Sequence, residues 1–371
     1  MTAVNSSALY ASRLARVREE MKRQSIDVAL LSVGHDLPYL TGYYAMPLER
    51  LTMLVVTHDS PASLIVPRLE APRVTPYNDV FRIVPWGETE NPVALVAKHL
   101  GDRAKTIAIG DQMWARFLVE LMALVSGANF VRAVDVVGPL RMAKDAHEIE
   151  ALRIAGAAAD RVALQLQAGA IPLVGRTEAQ VSADISARLI AEGHDVVNFA
   201  IVAAGENAAS PHHHPGPRVI KKNEIVLCDF GGTMNGYCSD ITRCVYIGTP
   251  PRQLTSAYAV LHAAQAAGVR AGVVGATCES VDAASRKIID DAGFGDFFIH
   301  RTGHGIGMEA HEDPYIVSGN KLPIAEGHAF SVEPGIYIPG KWGMRLEDIV
   351  VATNAGPISM NNVDHSLVLV S

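Results

Sequence analysis

Asp229 and Asp240 lie on either side of an Asn-Gly pair in CDFGGTMNGYCSDITR, residues 228–243. Aspartate is depleted in strands and rarely buried alone, yet Ile225, Val226, Leu227 and Phe230 make the first arm read as a buried strand. Asn-Gly favours the two-residue type I′ hairpin loop, because both positions need positive φ. That loop sets Met234 against Tyr237 and Thr233 against Cys238, so Asp229 faces Thr242 and Asp240 faces Gly231. Side chains alternate faces along a strand, which puts both carboxylates on one side as diagonal neighbours. Like charges so placed repel unless one is protonated or a cation lies between them. A solvent-facing hairpin would also tolerate them. The apolar first arm favours a divalent cation, which needs further ligands.

Three later segments offer them. In FIHRTGHGIGMEAHEDP, residues 298–314, His304 sits between Gly303 and Gly305, where the backbone can approach a neighbour closely. His300 and His311 flank it. Glu333 ends an apolar run in SVEPGIY, just before a Pro-Gly turn. In RLEDIVV, strand alternation gives Arg345 and Glu347 one face and Leu346 and Asp348 the other. Singly, each has an ordinary reading as a turn residue, a surface histidine or a solvated strand face. Together they make two aspartates, one histidine and two glutamates. Oxygen-rich ligation with one imidazole suits manganese, cobalt, iron or zinc rather than a thiolate site. Four carboxylates carry too much charge for one divalent ion and suit a pair, a hydrolytic design.

These residues need a scaffold of strands ending at a common point. Up to about residue 140, strand-like runs (DVALLSV, LTMLVVT, SLIVPR, FRIVPW, TIAIG) alternate with helical stretches near 92–100 and 112–124. That pattern predicts an α/β domain over residues 1–142. The character changes at the Ala-rich helix RMAKDAHEIEALRIAGAAADRVALQLQAG, which ends at Gly169 and opens a second domain over 143–371. A Thr-Glu-Ala-Gln capping box at Thr177 starts the next helix, with Val181, Ile185 and Leu189 on one face. A strand FAIVAAG, the aspartate hairpin, helices near 251–270 and 278–292, and the short strands HAFSVEPGIYI, GMRLEDIVVAT and SLVLVS follow.

The net charge of −7, with no basic tract, gives no electrostatic support to nucleic-acid or anionic-membrane binding. The N-terminal stretch lacks an apolar core and is not read as a signal peptide, and no run is long enough to span a membrane. Cys228, Cys238, Cys244 and Cys278 match no zinc spacing and read as small buried side chains of a reduced, cytoplasmic protein. No glycine-rich phosphate loop is present.

The ordered set Asp229, Asp240, His304, Glu333, Glu347, within DFGGTMNGYCSDITR, TGHGIG, SVEPGIY and RLEDIV, resembles the pita-bread metallopeptidases. These are prolidase (Xaa-Pro dipeptidase), aminopeptidase P and methionine aminopeptidase, with creatinase a metal-free relative. The resemblance covers residues 143–371, and HDLPYLTGYY extends it to the family's N-terminal α/β domain. It implies an α/β first domain and an α+β pita-bread catalytic domain. It also implies two divalent ions, Mn²⁺ foremost with Co²⁺, Fe²⁺ or Zn²⁺ as alternatives. By the same resemblance Asp229 chelates one ion, His304 and Glu333 the other, and Asp240 and Glu347 bridge them. A bridging hydroxide then attacks the scissile carbonyl, and Glu333 passes the proton to the leaving nitrogen. His212, first of the triplet in SPHHHPG, matches the substrate-binding histidine of proline-specific members. His300 and His311 match the histidines that bond substrate and oxyanion. His213 and His214 take no role.

Arg345, where methionine aminopeptidases carry glutamine, points with His212 to the proline-specific branch. The expected activity is hydrolysis of X-Pro dipeptides, with Xaa-Pro aminopeptidase as the alternative and a small-molecule hydrolase or lyase as the third reading. A homodimer is implied by the resemblance alone. A dipeptidase must also cap its substrate's free carboxylate, and the sequence does not say which group does so.

Overall fold

The computed structural model describes residues 6–100 and 104–370. The chain divides into two compact units, Met1–Arg141 and Met142–Ser371.

The first unit is built on six strands: β1 (Val28–Leu31), β2 (Met53–Thr57), β3 (Ala62–Pro67), β4 (Phe81–Trp86), β5 (Thr106–Ile109) and β6 (Asn129–Arg132). They form one sheet in the order β4-β3-β2-β1-β5-β6. The β1/β5, β5/β6 and β3/β4 pairs are parallel, and the β1/β2 and β2/β3 pairs antiparallel. Among the described residues five helices accompany the strands: α1 (Ser6–Arg23), α2 (Asp36–Thr41), α3 (Pro92–His99), α4 (Ala115–Leu124) and α5 (Val134–Met142). Val93 and Val96 of α3 and Phe117 and Leu121 of α4 seal one sheet face against Val28, Leu30, Val55 and Ile107. β6 and α5 did not stand out in the sequence, because NFVR is short and Pro139 breaks the helical pattern.

Among its described residues the second unit has four helices, α6 (Ala146–Gln167), α7 (Glu178–Ala191), α8 (Arg252–Ala271) and α9 (Cys278–Asp291). Its strands are β7 (Val196–Ala204), β8 (Ile225–Met234), β9 (Tyr237–Cys238), β10 (Ile241–Ile247), β11 (Gly303–Gly305), β12 (Glu312–Ile316), β13 (Ala329–Val332), β14 (Gly335–Ile338), β15 (Trp342–Arg345), β16 (Asp348–Thr353), β17 (Gly356–Ser359) and β18 (Val368–Val370). One sheet runs β18-β10-β8-β7, with β9 paired to β8, and a second runs β12-β11-β13-β16-β17. β14 and β15 form a separate ribbon.

Alternation along β8 explains how the halves meet. Val226, Cys228 and Phe230 point to α6 and α7, where they pack with Val162, Leu166, Val181, Ile185 and Leu189. Ile225 and Leu227 point the other way, to α8 and to Ile336, Met344 and Leu346. Asp229 continues that second row. α9 covers the opposite sheet through Cys278 and Val281, against Phe330, Val332 and Val350. The capping box at Thr177 is present, with Gln180 reciprocating. All four cysteines are free and buried. Among the described residues no helix is long and apolar enough to cross a membrane.

Two strand-rich runs are each divided between sheets. HAFSVEPGIYI becomes β13 and β14, and GMRLEDIVVAT becomes β15 and β16, in different sheets. The breaks fall at Glu333-Pro334 and Leu346-Glu347, so both glutamates sit where the chain passes between sheets. Proline 334 cannot donate to a ladder, which accounts for the first break.

Candidate metal centre

The hairpin has the expected register. Asn235 and Gly236 both have positive φ, 52° and 82°. Met234 faces Tyr237, Thr233 faces Cys238 and Asp229 faces Thr242. The ladder opens at Ser239 and Asp240, but Ser239 N–H still bonds Gly232 O at 2.8 Å, which keeps the pairing in step. Gly231 and Gly303 are glycines of necessity: a Cβ at either would collide with a facing backbone carbonyl, that of Ser239 or Ser331. Each of these close approaches lies within one sheet, and the two halves of the site meet at the bridge between Thr242 and Glu347.

A cavity of about 510 Å³ lies within the second unit. Asp229, Asp240, His304, Glu333 and Glu347 line it, together with His212, His300, His311 and Arg345. Every site residue singled out in the sequence is therefore in one place. None of the cysteines is on the cavity wall.

The donor atoms fall into overlapping groups. Asp229, Asp240 and Glu347 offer atoms within 4.8 Å of one another, and so do His304, Glu333 and Glu347. Asp240, His304 and His311 form a third such group. His304 Nδ1 lies 3.0 Å from the Gly305 carbonyl and donates to it. Its Nε2 then carries a bare lone pair, directed at Glu333 Oε1 at 3.3 Å and Asp240 Oδ2 at 3.8 Å. Acceptors facing acceptors at this range need a cation or a proton between them. Ser331 Oγ accepts from His304 N at 3.0 Å and donates to Glu333 Oε1 at 3.1 Å, holding both ligands in place.

The electrostatics give the same answer. Asp229 Oδ1 and Asp240 Oδ1 are buried and lack a hydrogen-bond partner among the described residues. Burial, then the charges of Glu347, Asp229 and Glu333, push the Asp240 carboxyl well above its usual range. Burial likewise raises Glu347, with Glu333 and Asp229 adding to it, and lifts Glu333 to about 7. Burial pushes His304 down to about 3, so it is a neutral ligand. Four crowded carboxylates, two orphaned oxygens and one neutral imidazole fit divalent cations, which would relieve the repulsion and satisfy the orphaned oxygens.

Around this set the structure adds partners that the sequence did not reveal. Arg345 is buried: its Nη2 bonds Asp229, its Nη1 bonds the Tyr337 hydroxyl at 2.7 Å, and its Nε bonds Thr242 Oγ1 at 3.1 Å. Thr242 in turn donates to Glu347 Oε2 at 2.6 Å. Tyr337 OH also meets His300 Nε2 at 2.9 Å, and burial holds that imidazole neutral, its pKa lowered to about 3. The solvated-face reading of Arg345 and Glu347 is thus replaced by a fully buried network. His213, given no role in the sequence, bonds the buried Glu178 at 2.8 Å. Glu178 also accepts from Ala204 N and Asn207, so it ties down the segment that carries His212.

A pita-bread catalytic unit enclosing a carboxylate-rich metal site defines a metal-dependent hydrolase. The chain belongs to metallopeptidase family M24, which it matches over residues 149–354, and residues 13–143 match the creatinase/prolidase N-terminal domain. It is 42% identical to the probable dipeptidase PepE of Mycobacterium tuberculosis (strain ATCC 25618 / H37Rv), over 98% of this chain and 97% of that one. The Xaa-Pro dipeptidase of Lactobacillus helveticus is 37% identical, over 96% and 98%. The crystal structure of dipeptidase PepE from Mycobacterium ulcerans superposes with a TM-score of 0.93 at 44% identity, covering 98% of both chains.

Proposed function

We propose that this metallopeptidase is a cytoplasmic exopeptidase that hydrolyses X-Pro dipeptides with two divalent ions, Mn²⁺ being the foremost candidate. The reading rests on the convergence of five ligand side chains around two orphaned carboxylate oxygens, and the likeness to an Xaa-Pro dipeptidase supports it. Asp229, Asp240 and Glu347 would hold one ion and His304, Glu333 and Glu347 the other, with Asp240 reaching both. Bound there, the ions supply Lewis-acid polarisation of the scissile carbonyl and acidify water at neutral pH.

The chain's own groups supply the rest. Glu333, on the cavity wall beside His304, would carry a proton to the leaving nitrogen. Thr242 and Arg345 fix the orientations of Glu347 and Asp229. His212, His300 and His311 line the space where a peptide backbone would lie, and Phe199 and Ile201 give it an apolar wall suited to a pyrrolidine ring. His311 is the histidine to test. Its ring centroid is 3.9 Å from that of His304, close enough to count as a ligand or as a substrate contact. On the substrate reading, His311→Ala keeps its full metal content and loses about 10²- to 10³-fold in kcat. Loss of metal in that variant would make it a ligand instead.

The activity itself is tested by stripping the protein with chelator, reloading it with Mn²⁺, and following release of the N-terminal alanine from Ala-Pro beside Ala-Pro-Ala. The expected result is metal-dependent cleavage of the dipeptide alone. Cleavage of the tripeptide would move the reading to Xaa-Pro aminopeptidase. Cleavage of neither, with metal bound, would favour a small-molecule substrate.

A further inference from the structure

His212 lines the catalytic cavity beside His300 and His311, yet among the described residues no hydrogen bond holds its imidazole. Its direction is therefore set by its backbone. That backbone belongs to no helix or strand and follows the 3₁₀ turn Gly205–Ala209. The turn is fixed by packing: Ala208 is buried, and a Cβ at Gly343 of β15 would collide with its carbonyl. Over residues 211–214 exposure alternates, with Pro211 and His213 half-buried and His212 and His214 exposed. The half-buried pair carries the two side-chain contacts that flank His212. On one side Arg345 Nη1 donates to the Pro211 carbonyl at 3.3 Å. On the other, His213 Nε2 meets Glu178 Oε2 at 2.8 Å.

The two contacts differ in what else they hold. Arg345 also bonds Asp229, so its contact cannot be removed without disturbing a metal ligand. Glu178 belongs neither to the cavity wall nor to the groups of candidate ligands. It is the first residue of α7, where the helix N-terminus favours its charge, and it is fully buried. Its carboxylate accepts from Ala204 N at 2.9 Å and from Asn207 Nδ2 at 3.0 Å. A carboxylate offers only acceptors, so His213 Nε2 carries the hydrogen of their bond. The far end of the loop docks on the same turn of α7, since Ala179 N–H donates to the Gly216 carbonyl. One buried carboxylate thus ties the end of β7, the 3₁₀ turn and the loop to a single point.

We propose that His213 and Glu178 form a positioning pair, whose bond holds residues 210–216 so that His212 projects into the cavity toward the substrate. The proposal rests on the X-Pro exopeptidase reading above, in which His212 contacts the peptide. Without the bond the loop is held beside His212 by the Pro211 contact alone, and the imidazole occupies its binding position for a smaller fraction of the time. Apparent affinity falls by that fraction. The metal ligands and Glu333 are untouched, so the cost falls on KM rather than kcat.

The test is a double-mutant cycle on Mn²⁺-loaded protein with Ala-Pro as substrate, using wild type, His213→Ala, His212→Ala and the two combined. His213→Ala should raise KM on the order of 10-fold with a small change in kcat. Its metal content should stay at the wild-type value. In the His212→Ala background the same substitution should change KM little, because no imidazole remains to be aimed. His213→Gln should recover much of the affinity, since its amide can donate to the same oxygen. Hydrogen exchange over residues 205–216, read by mass spectrometry, should quicken in His213→Ala and return toward wild type in His213→Gln. Equal KM costs with and without His212 would overturn the proposal, and so would unchanged exchange in His213→Ala, whatever the activity. If His212→Ala is too slow to assay, the glutamine variant decides, and failure to recover affinity overturns the pair. If wild type does not cut Ala-Pro, the peptidase reading fails by itself. The tether then stands if quickened exchange is confined to 205–216 and falls if exchange is unchanged.

Discussion

Asp240→Asn should bind far less than the full complement of Mn²⁺ and lose activity by about a thousandfold or more, and it should not lose stability when no metal is present. Asp240 contributes an atom to the group with Asp229 and Glu347 and to the group with His304, so a single substitution weakens both candidate ion positions. Ligand loss at one ion costs affinity directly, and at a shared ligand it costs both. The stability argument runs the other way. Without cations, Asp240 is buried beside Glu347, Asp229 and Glu333, and one of its oxygens lacks a partner among the described residues. An amide keeps the shape and removes one charge from that crowd.

Thermal unfolding separates the two effects. Saturating Mn²⁺ should raise the wild-type Tm by roughly 5–10 °C over the chelated protein, because binding at about 100 times Kd adds about 2.7 kcal/mol and each kcal/mol moves a domain of this size by about 2–4 °C. Chelated Asp240→Asn should melt at or above chelated wild type and respond little to Mn²⁺. A variant that keeps its metal and its Mn²⁺ response would remove Asp240 from the bridging position.

Much of this site was readable because its chemistry is local in the chain. The Asn-Gly loop fixes the hairpin register, and the register fixes which face Asp229 and Asp240 share. The glycines around His304 and the alternation of Arg345 with Glu347 act over two or three residues. What stayed hidden depends on partners far apart in sequence. Glu178 reads as an ordinary first-turn glutamate of α7, yet it is fully buried and gathers Ala204, Asn207 and His213. Tyr337 looks like a core aromatic until Arg345 and His300 are seen to meet at its hydroxyl. The break at Glu333 was marked by the Pro-Gly pair that follows it, whereas the break at Glu347 was not, because RLEDIVV alternates without interruption and nothing local marks a change of sheet.

Arg243 shows the same limit and carries the largest expected cost to folding. It sits in β10 one residue beyond Thr242, on the opposite face from the ligands, and its side chain is 0% exposed. Its donors reach Asp348 Oδ1 at 2.7 Å, the Glu347 carbonyl at 2.7 Å, the Thr242 carbonyl at 3.0 Å, and the Asp364 and Val363 carbonyls at 3.1 Å each. Arg243→Met fills similar space but leaves a buried carboxylate and several carbonyls short of donors. Removing one partner of such a pair costs about 3–5 kcal/mol, so the catalytic unit should melt on the order of 10 °C lower.

The pH dependence follows from Asp348. Burial acts to raise its pKa, but the hydrogen bond from His365 and the charge and hydrogen bond of Arg243 outweigh it and hold the carboxyl below its usual value. A depressed carboxylate contributes stability above its unfolded pKa, about 3.9, and loses it as pH falls through the folded value. Without Arg243 the buried carboxyl takes up a proton at higher pH, which relieves its own penalty. The stability gap between wild type and Arg243→Met should therefore be widest near pH 7 and narrow as pH falls toward 4.5. Arg243→Met combined with Asp348→Leu should recover part of the loss at pH 7, because no uncompensated charge remains. A gap independent of pH, with no recovery in the double variant, would mean that the carbonyls rather than the ion pair dominate what Arg243 does for β10 and the C-terminal segment.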